Sequence, residues 1–196
     1  MTTDILETSR ARRLKARTSS THDRLDTAIM AAASFASVEG YGRFAGVQAL
    51  FHRDVDALYD DARLQALLPG LTARRRLPLI LADLVDIGVP VPRTDTPPAF
   101  SSAGIDIPTA LGWLYVAEGS NMGAALLRKE VAKLGLSDSF GGRHLAPAAD
   151  GPAAQWRNFT AALDAIDLDA ESEERAVTGA QAAFARVQFL VDAHIS

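Results

Sequence analysis

Three glycines within a helix-forming run and one histidine near the N-terminus are the residues whose type and spacing bear most on chemistry. The run is Leu111-Gly-Trp-Leu-Tyr-Val-Ala-Glu-Gly-Ser-Asn-Met-Gly-Ala-Ala-Leu-Leu127. Leu, Ala and Glu favour helix, and Leu111, Leu114, Leu126 and Leu127 recur near helical spacing. Gly112, Gly119 and Gly123 interrupt it, and each costs a helix about 1 kcal/mol relative to alanine. Offsets of seven and four place all three on one face. Such a face admits either a second helix, backbone to backbone, or a flat ligand against the main chain. His22 lies on the stripe Leu14, Thr18, His22, Leu25 and Ile29 of a first helix. Its imidazole is either a satisfied structural ring or a metal ligand. Lys15 precedes it by two helical turns, on the same side and about 10 Å away along the axis.

The other candidates are weaker. His52, His144 and His194 read as structural or solvated, and Glu118 as a structural or surface hydrogen-bonding group. The absence of cysteine excludes disulfides, thiolate catalysis and Cys-ligated iron. No paired carboxylates, phosphate-cradling loop, Ser/His/Asp triad or cluster of metal ligands is present. A net charge of −4 argues against a nucleic-acid partner. No apolar run reaches the roughly 18 residues of a membrane span. No basic segment leads into an apolar one at the N-terminus, so a cytoplasmic location is the default expectation. Arg10, Arg12, Arg13, Lys15 and Arg17 form a basic cluster before His22.

The elements that must position these residues are helical. The length of 196 residues suits one domain, with residues 1–7 as a flexible lead-in. Ser9 to Met30 predicts the first helix, and Ser34 to Ser37 a break. Ser37, followed by Glu39, caps a helix lined by Tyr41, Phe44, Val47, Leu50 and Phe51 that runs to Tyr59. Leu64 to Gly70 is a short turn of helix. Leu71 to Ile87 is a further helix, with Arg74, Arg75 and Arg76 on or near its exposed side and Pro78 as a kink or the true start. Gly88 to Pro108, rich in proline, is a loop. The glycine helix runs from Pro108 to Lys133 or Leu134, with Gly135 as its cap. Leu136 to Gly151 is loop. Pro152 to Ile166 and Glu171 to Ala193 are the last two helices, carrying Trp156, Phe159 and Leu163, then Val177, Phe184, Val187 and Leu190 on their buried faces. No stretch alternates with period two, so the expected class is all-α.

The segment Gly112 to Gly123 resembles the distal-helix signature of bacterial heme oxygenases. Thr18-Ser-Ser-Thr-His22-Asp-Arg-Leu-Asp26 resembles that family's proximal-histidine segment, and the two lie in the family's order and at about its separation. The resemblance runs from about residue 8 to the C-terminus. It implies a helical fold with heme sandwiched between a proximal N-terminal helix and a glycine-containing distal helix. It assigns His22 as the axial iron ligand, Lys15 as a cation for a heme propionate and Phe184 as an aromatic packed on the heme. Arg157, Arg175 and Arg186 are weaker propionate candidates. Gly119 and Gly123 correspond to the pair that brings the distal helix close over the heme. Ser120 stands where mammalian members carry an aspartate that organises water, and Asn121 is a second candidate for that task.

The activity implied is oxidative cleavage of heme, both substrate and prosthetic group, to biliverdin, carbon monoxide and ferrous iron. Dioxygen is consumed, and electrons come from an external donor, a reductase or ferredoxin. The basic cluster is a candidate docking surface for that donor. No nucleic-acid or membrane partner is expected, and the chain is read as a monomer. Two alternatives remain at this point: a heme-binding or heme-transfer protein that does not degrade its ligand, and a heme-free member of the same helical fold.

Overall fold

Side-chain caps set where the main helices begin. In the computed structural model, which describes residues 9–32 and 35–195, Ser37 accepts a hydrogen bond from the Gly40 N–H at 3.1 Å and starts α2 (Val38–Val55). Asp106 accepts from the Thr109 N–H at 3.1 Å and starts α5 (Ile107–Ser120), with Pro108 in the first turn. Asp169 does the same from Ser172 for α8 (Ala170–His194). The remaining helices are α1 (Arg10–Ala32), α3 (Ala62–Leu67), α4 (Leu77–Asp86), α6 (Ala124–Ala132) and α7 (Pro152–Ala165). Short 3-10 turns cover Asp56–Asp60, Leu71–Arg74 and Arg143–Leu145. Among the described residues no strand forms, so the class is all-α as expected. The lead-in expected at residues 1–7 and Ser34, where the expected break begins, lie outside the described residues, and the rest of that break, 35–37, is non-helical as expected.

Three boundaries differ from the sequence reading. The helix expected to run to Tyr59 gives way after Val55 to a 3-10 turn. The helix expected over Leu71–Ile87 is a 3-10 turn followed by α4, with Pro78 in its first turn as the true start. The long glycine helix is two helices, broken across residues 121–123. Gly135 does take the left-handed conformation, φ 81°, just beyond α6.

The last helix is the common support. α8 packs along α5, α1 and α2, whereas α1 and α5 make at most sparse contact with each other. Leu14 and Leu25 of α1, Leu111 and Leu114 of α5, and Val187 and Leu190 of α8 belong to one continuous apolar cluster. The α5–α8 crossing is closest at Gly112 and Gly179. A Cβ on Gly112 would overlap the backbone of Ala176 and Ala180, and one on Gly179 would overlap the backbone of Thr109. For Gly112, then, the bare face serves a helix–helix contact, which corrects the expectation that all three glycines present one common surface.

Candidate active site

His22 projects from α1 beside α8. Its side chain is 55% exposed, although Leu14, Thr18 and Leu25 of the same stripe are buried. The expectation of a histidine within the apolar stripe is thereby corrected: the ring stands at the stripe's open edge. Thr18 is buried because its hydroxyl donates to the Leu14 carbonyl at 2.7 Å, satisfying it within the helix. Nδ1 of His22 lies 3.3 Å from an Asp26 oxygen one turn further on. That leaves Nε2 to a ligand, and a carboxylate on the far nitrogen is the usual way such a ring is oriented. The Phe184 ring of α8 meets the imidazole edge-on, with centroids 5.8 Å apart. His22 and Phe184, two of the residues singled out from sequence, are therefore brought together.

At the end of α5 the backbone lies open. A Cβ on Gly123 would meet only the Ser120 carbonyl, at 3.7 Å. One on Gly119 would meet only the edge of the Trp156 ring, at 3.6 Å. The large apolar side chains Met122 and Leu126 are 44% and 58% exposed, and helical spacing puts both near the Gly119–Gly123 side. This surface of glycine backbone and uncovered apolar groups can receive a flat, apolar ligand. The Ser120 hydroxyl donates to the Ala117 carbonyl at 2.7 Å, so toward any water it is an acceptor. Asn121 lines a separate cavity behind α6.

Beneath Gly119 lies a buried ionic support that sequence reasoning missed. Glu118 is 3% exposed. It pairs with the Arg74 guanidinium at 3.0 Å and accepts from the Tyr59 hydroxyl at 3.2 Å. Arg74 also donates to the Gln155 carbonyl at 3.3 Å. The last turn of α5 is thus tied to the Leu71–Arg74 turn and to α7. Burial raises the Glu118 carboxyl above its ordinary range, against the lowering influence of Arg74 and the Tyr59 hydrogen bond. Of the two readings of Glu118, the structural one holds, and the expectation of Arg74, Arg75 and Arg76 on or near an exposed side is corrected. Arg74 serves Glu118, Arg75 pairs with Asp56 at 2.5 Å, and Arg76 donates to the Ala146 carbonyl at 3.3 Å. A charged residue following the apolar stretch Trp113 to Ala117 was the available signal.

His52 and His144 form a second buried polar group, not a solvated one. Asp83, fully buried, accepts from the His144 ring at 2.8 Å and from the His144 and Arg143 backbone N–H groups. Burial alone would raise Asp83, but these hydrogen bonds hold it below its ordinary range. His52 is pushed down to about 3, chiefly by burial and then by His144 and Arg76.

The cationic candidates are dispersed. Lys15 is exposed on α1. Arg186 pairs with the buried Asp54 at 2.7 Å and Arg175 with Glu171 at 2.8 Å, while Arg157 is exposed. The basic cluster before His22 is largely committed to the fold. Arg10 is buried and pairs with Glu173 at 2.7 Å while donating to the Leu163 and Ile166 carbonyls. Arg13 shares Glu173 at 2.8 Å, and Arg17 reaches Glu174 at 3.4 Å.

Against known proteins, residues 8–193 match the family model for heme oxygenase. The chain is 42% identical over 183 residues to heme oxygenase PigA of Pseudomonas aeruginosa, covering 93% of this chain and 91% of that protein. It is 36% identical over 118 residues to a heme oxygenase of Xanthomonas campestris pv. campestris, covering 59% and 67% respectively. Its fold superimposes on the NO- and CO-bound heme oxygenase from Neisseria meningitidis with a TM-score of 0.88 at 39% identity, covering 95% of this chain and 92% of that one. Together with the helical architecture, these similarities show that the chain belongs to the heme oxygenase family.

Proposed function

We propose that this protein is an oxidoreductase that cleaves heme to biliverdin, carbon monoxide and ferrous iron, with heme as both substrate and prosthetic group. The observation that carries the site is the exposed His22 ring set edge-on against Phe184, in a chain that matches the family along nearly its whole length. The residues fit heme. His22 offers Nε2 to the iron, with Asp26 orienting the ring from Nδ1. Phe184 packs beside it, and Gly119 and Gly123 present bare backbone to a flat macrocycle. When bound, heme supplies the iron at which dioxygen is reduced.

The protein's own contribution is positional. Bare backbone at Gly119 and Gly123 lets the distal side approach closely and excludes competing side chains. Ser120, its proton held by the Ala117 carbonyl, would accept a hydrogen bond from water at that backbone and so hold a proton donor on that side of bound heme. Lys15, two turns before His22, supplies the cation for a propionate. Electrons come from a separate reductase or ferredoxin, since the chain carries no dinucleotide fingerprint. Among the described residues no helix is long and apolar enough to cross a membrane, and we place the reaction in the cytoplasm.

Reconstitution with hemin tests this reading. Stoichiometric binding, followed by loss of the Soret band and appearance of a bile pigment when a reductant is added in air, is the expected result. Binding with a persistent Soret band would make the protein a heme carrier, and no stoichiometric binding would remove the heme site altogether. For Lys15, Lys15→Ala is expected to weaken hemin binding or shift the product isomer ratio; unchanged values for both would overturn its assignment.

A further inference from the structure

One guanidinium stitches together the two helices that border Gly119. Arg74, at the end of the Leu71–Arg74 turn, places Nη1 3.0 Å from Oε2 of Glu118 and donates from both Nη1 and Nη2 to the Gln155 carbonyl at 3.3 Å. The residues that follow these two in the chain oppose each other: a Cβ on Gly119 would lie 3.6 Å from the Trp156 ring. Glu118–Gly119 of α5 and Gln155–Trp156 of α7 are thus each fastened at one residue and opposed at the next. The other oxygen of Glu118, Oε1, accepts from the Tyr59 hydroxyl at 3.2 Å, so the carboxylate cannot turn without losing a bond. Trp156 is fixed in its turn. Its ring centroid lies 5.4 Å from that of Tyr115, one helical turn before Gly119, and 5.9 Å from that of Phe159. Arg74 sits over the same Phe159 ring at 5.6 Å.

Stability alone does not call for this arrangement. A buried ion pair adds little net stability over apolar residues of similar volume, and α5 is already seated on α8 at Gly112. What Arg74 adds is geometry, because a planar fork of donors fixes direction as well as distance. We propose that Arg74 and Glu118 are positioning residues for heme cleavage, which set the Gly119 backbone against Trp156 and so govern how closely that backbone approaches a bound macrocycle. This role rests on the reading of Gly119 and Gly123 as the heme-facing backbone. Both residues act through Gly119 and not on the ligand, since their side chains are only 12% and 2% exposed.

The test compares full-length, hemin-loaded wild type with Arg74→Lys, with the double variant Glu118→Gln/Arg74→Met, and with Arg75→Met as control. Arg74→Lys keeps a charge beside Glu118, but an ammonium cannot reproduce a fork that reaches two acceptors. The double variant removes both buried charges together, so the apo-protein stays folded while the stitch to Gln155 is lost. Arg75, next in the chain, pairs with Asp56 and Asp60 instead. Both Arg74 variants are expected to keep wild-type hemin affinity but to show an altered ratio of biliverdin isomers. Their single-turnover loss of the Soret band is expected to slow about tenfold or more, within the roughly hundredfold that a misplacement of about 1 Å can cost. Arg75→Met is expected to match wild type in all three measurements. Wild-type turnover per folded molecule and isomer ratio in both Arg74 variants, or equal changes in Arg75→Met, would overturn the positioning role and leave the heme reading intact. Wild-type protein that neither binds nor degrades hemin would overturn the heme reading, and this role with it.

Discussion

Gly112 of α5 and Gly179 of α8 meet across a helix crossing so close that a methyl group on either would enter the other helix's backbone. Backbone cannot rotate aside as a flexible side chain can. Gly112→Ala and Gly179→Ala are each expected to destabilise the apo-protein by about 3 kcal/mol or more, at or beyond the upper end of ordinary overpacking. Urea unfolding of the two variants measures this directly; a loss near zero would mean that the helices separate without cost.

Gly119 and Gly123 make the contrasting case. The open space around them leaves a methyl group unopposed, and alanine gains up to about 1 kcal/mol in helix propensity at an interior site. Apo-protein stability is expected to hold or rise in Gly119→Ala and Gly123→Ala, while heme turnover falls because the backbone is pushed from the ligand. Melting of the apo-protein and single-turnover assays separate the two effects. Turnover per folded molecule left intact in both variants would remove these glycines from the site.

For His22, replacement by alanine is expected to abolish the histidine-ligated heme spectrum, and added imidazole to restore it in part. Because the side chain is 55% exposed, apo-protein stability should change by no more than about 0.5 kcal/mol. An unchanged spectrum would move the axial ligand elsewhere.

The Glu118–Arg74 pair is expected to show its worth through its loss. Arg74→Met leaves a buried carboxylate without its cation, at a cost of about 3–5 kcal/mol, whereas Glu118→Gln combined with Arg74→Met should recover much of that loss. The sign with pH follows from burial. A carboxyl raised in the folded state is tolerated best below the ordinary glutamate range, and its penalty grows as pH rises through the raised value. The single-variant deficit should therefore be largest near neutral pH and shrink on acidification. A pH-independent deficit would contradict the assignment.

His52 predicts acid lability. Its ring is held near pKa 3 against an ordinary 6.5. Between those values the unfolded chain takes up a proton that the folded one refuses, so stability is lost as pH falls, by about 1.4 kcal/mol per unit. From pH 7 to 5 the wild type should lose roughly 2 kcal/mol more than His52→Gln. Equal slopes in urea titrations of the two proteins would show that His52 charges freely in the fold.

Much of this was legible in sequence, for reasons that particular residues make plain. Ser37, Pro108 and Gly135 act locally, through caps and backbone preference, so the elements they begin or end could be read directly. Phe184 was singled out through the family resemblance, and its ring lies beside that of His22. What escaped was non-local. Glu118 depends on Arg74, a residue 44 positions away, and the burial of Arg10 depends on Glu173 across the chain. The three glycines share a helical offset but not a neighbour: Gly112 faces α8, and only Gly119 and Gly123 lie open. Spacing encodes direction along a helix, and it says nothing of what stands opposite.

The break at residues 121–123 divides the glycine-containing stretch into two halves of unequal burial. Up to Glu118 the chain is buried almost without interruption, whereas in α6 Val131 alone is fully buried. The inner half is buried in the core, and the outer half is joined to the rest through Val131, Leu127 and the Arg128–Asp138 pair. Backbone amides are therefore expected to exchange faster in α6 than in α5.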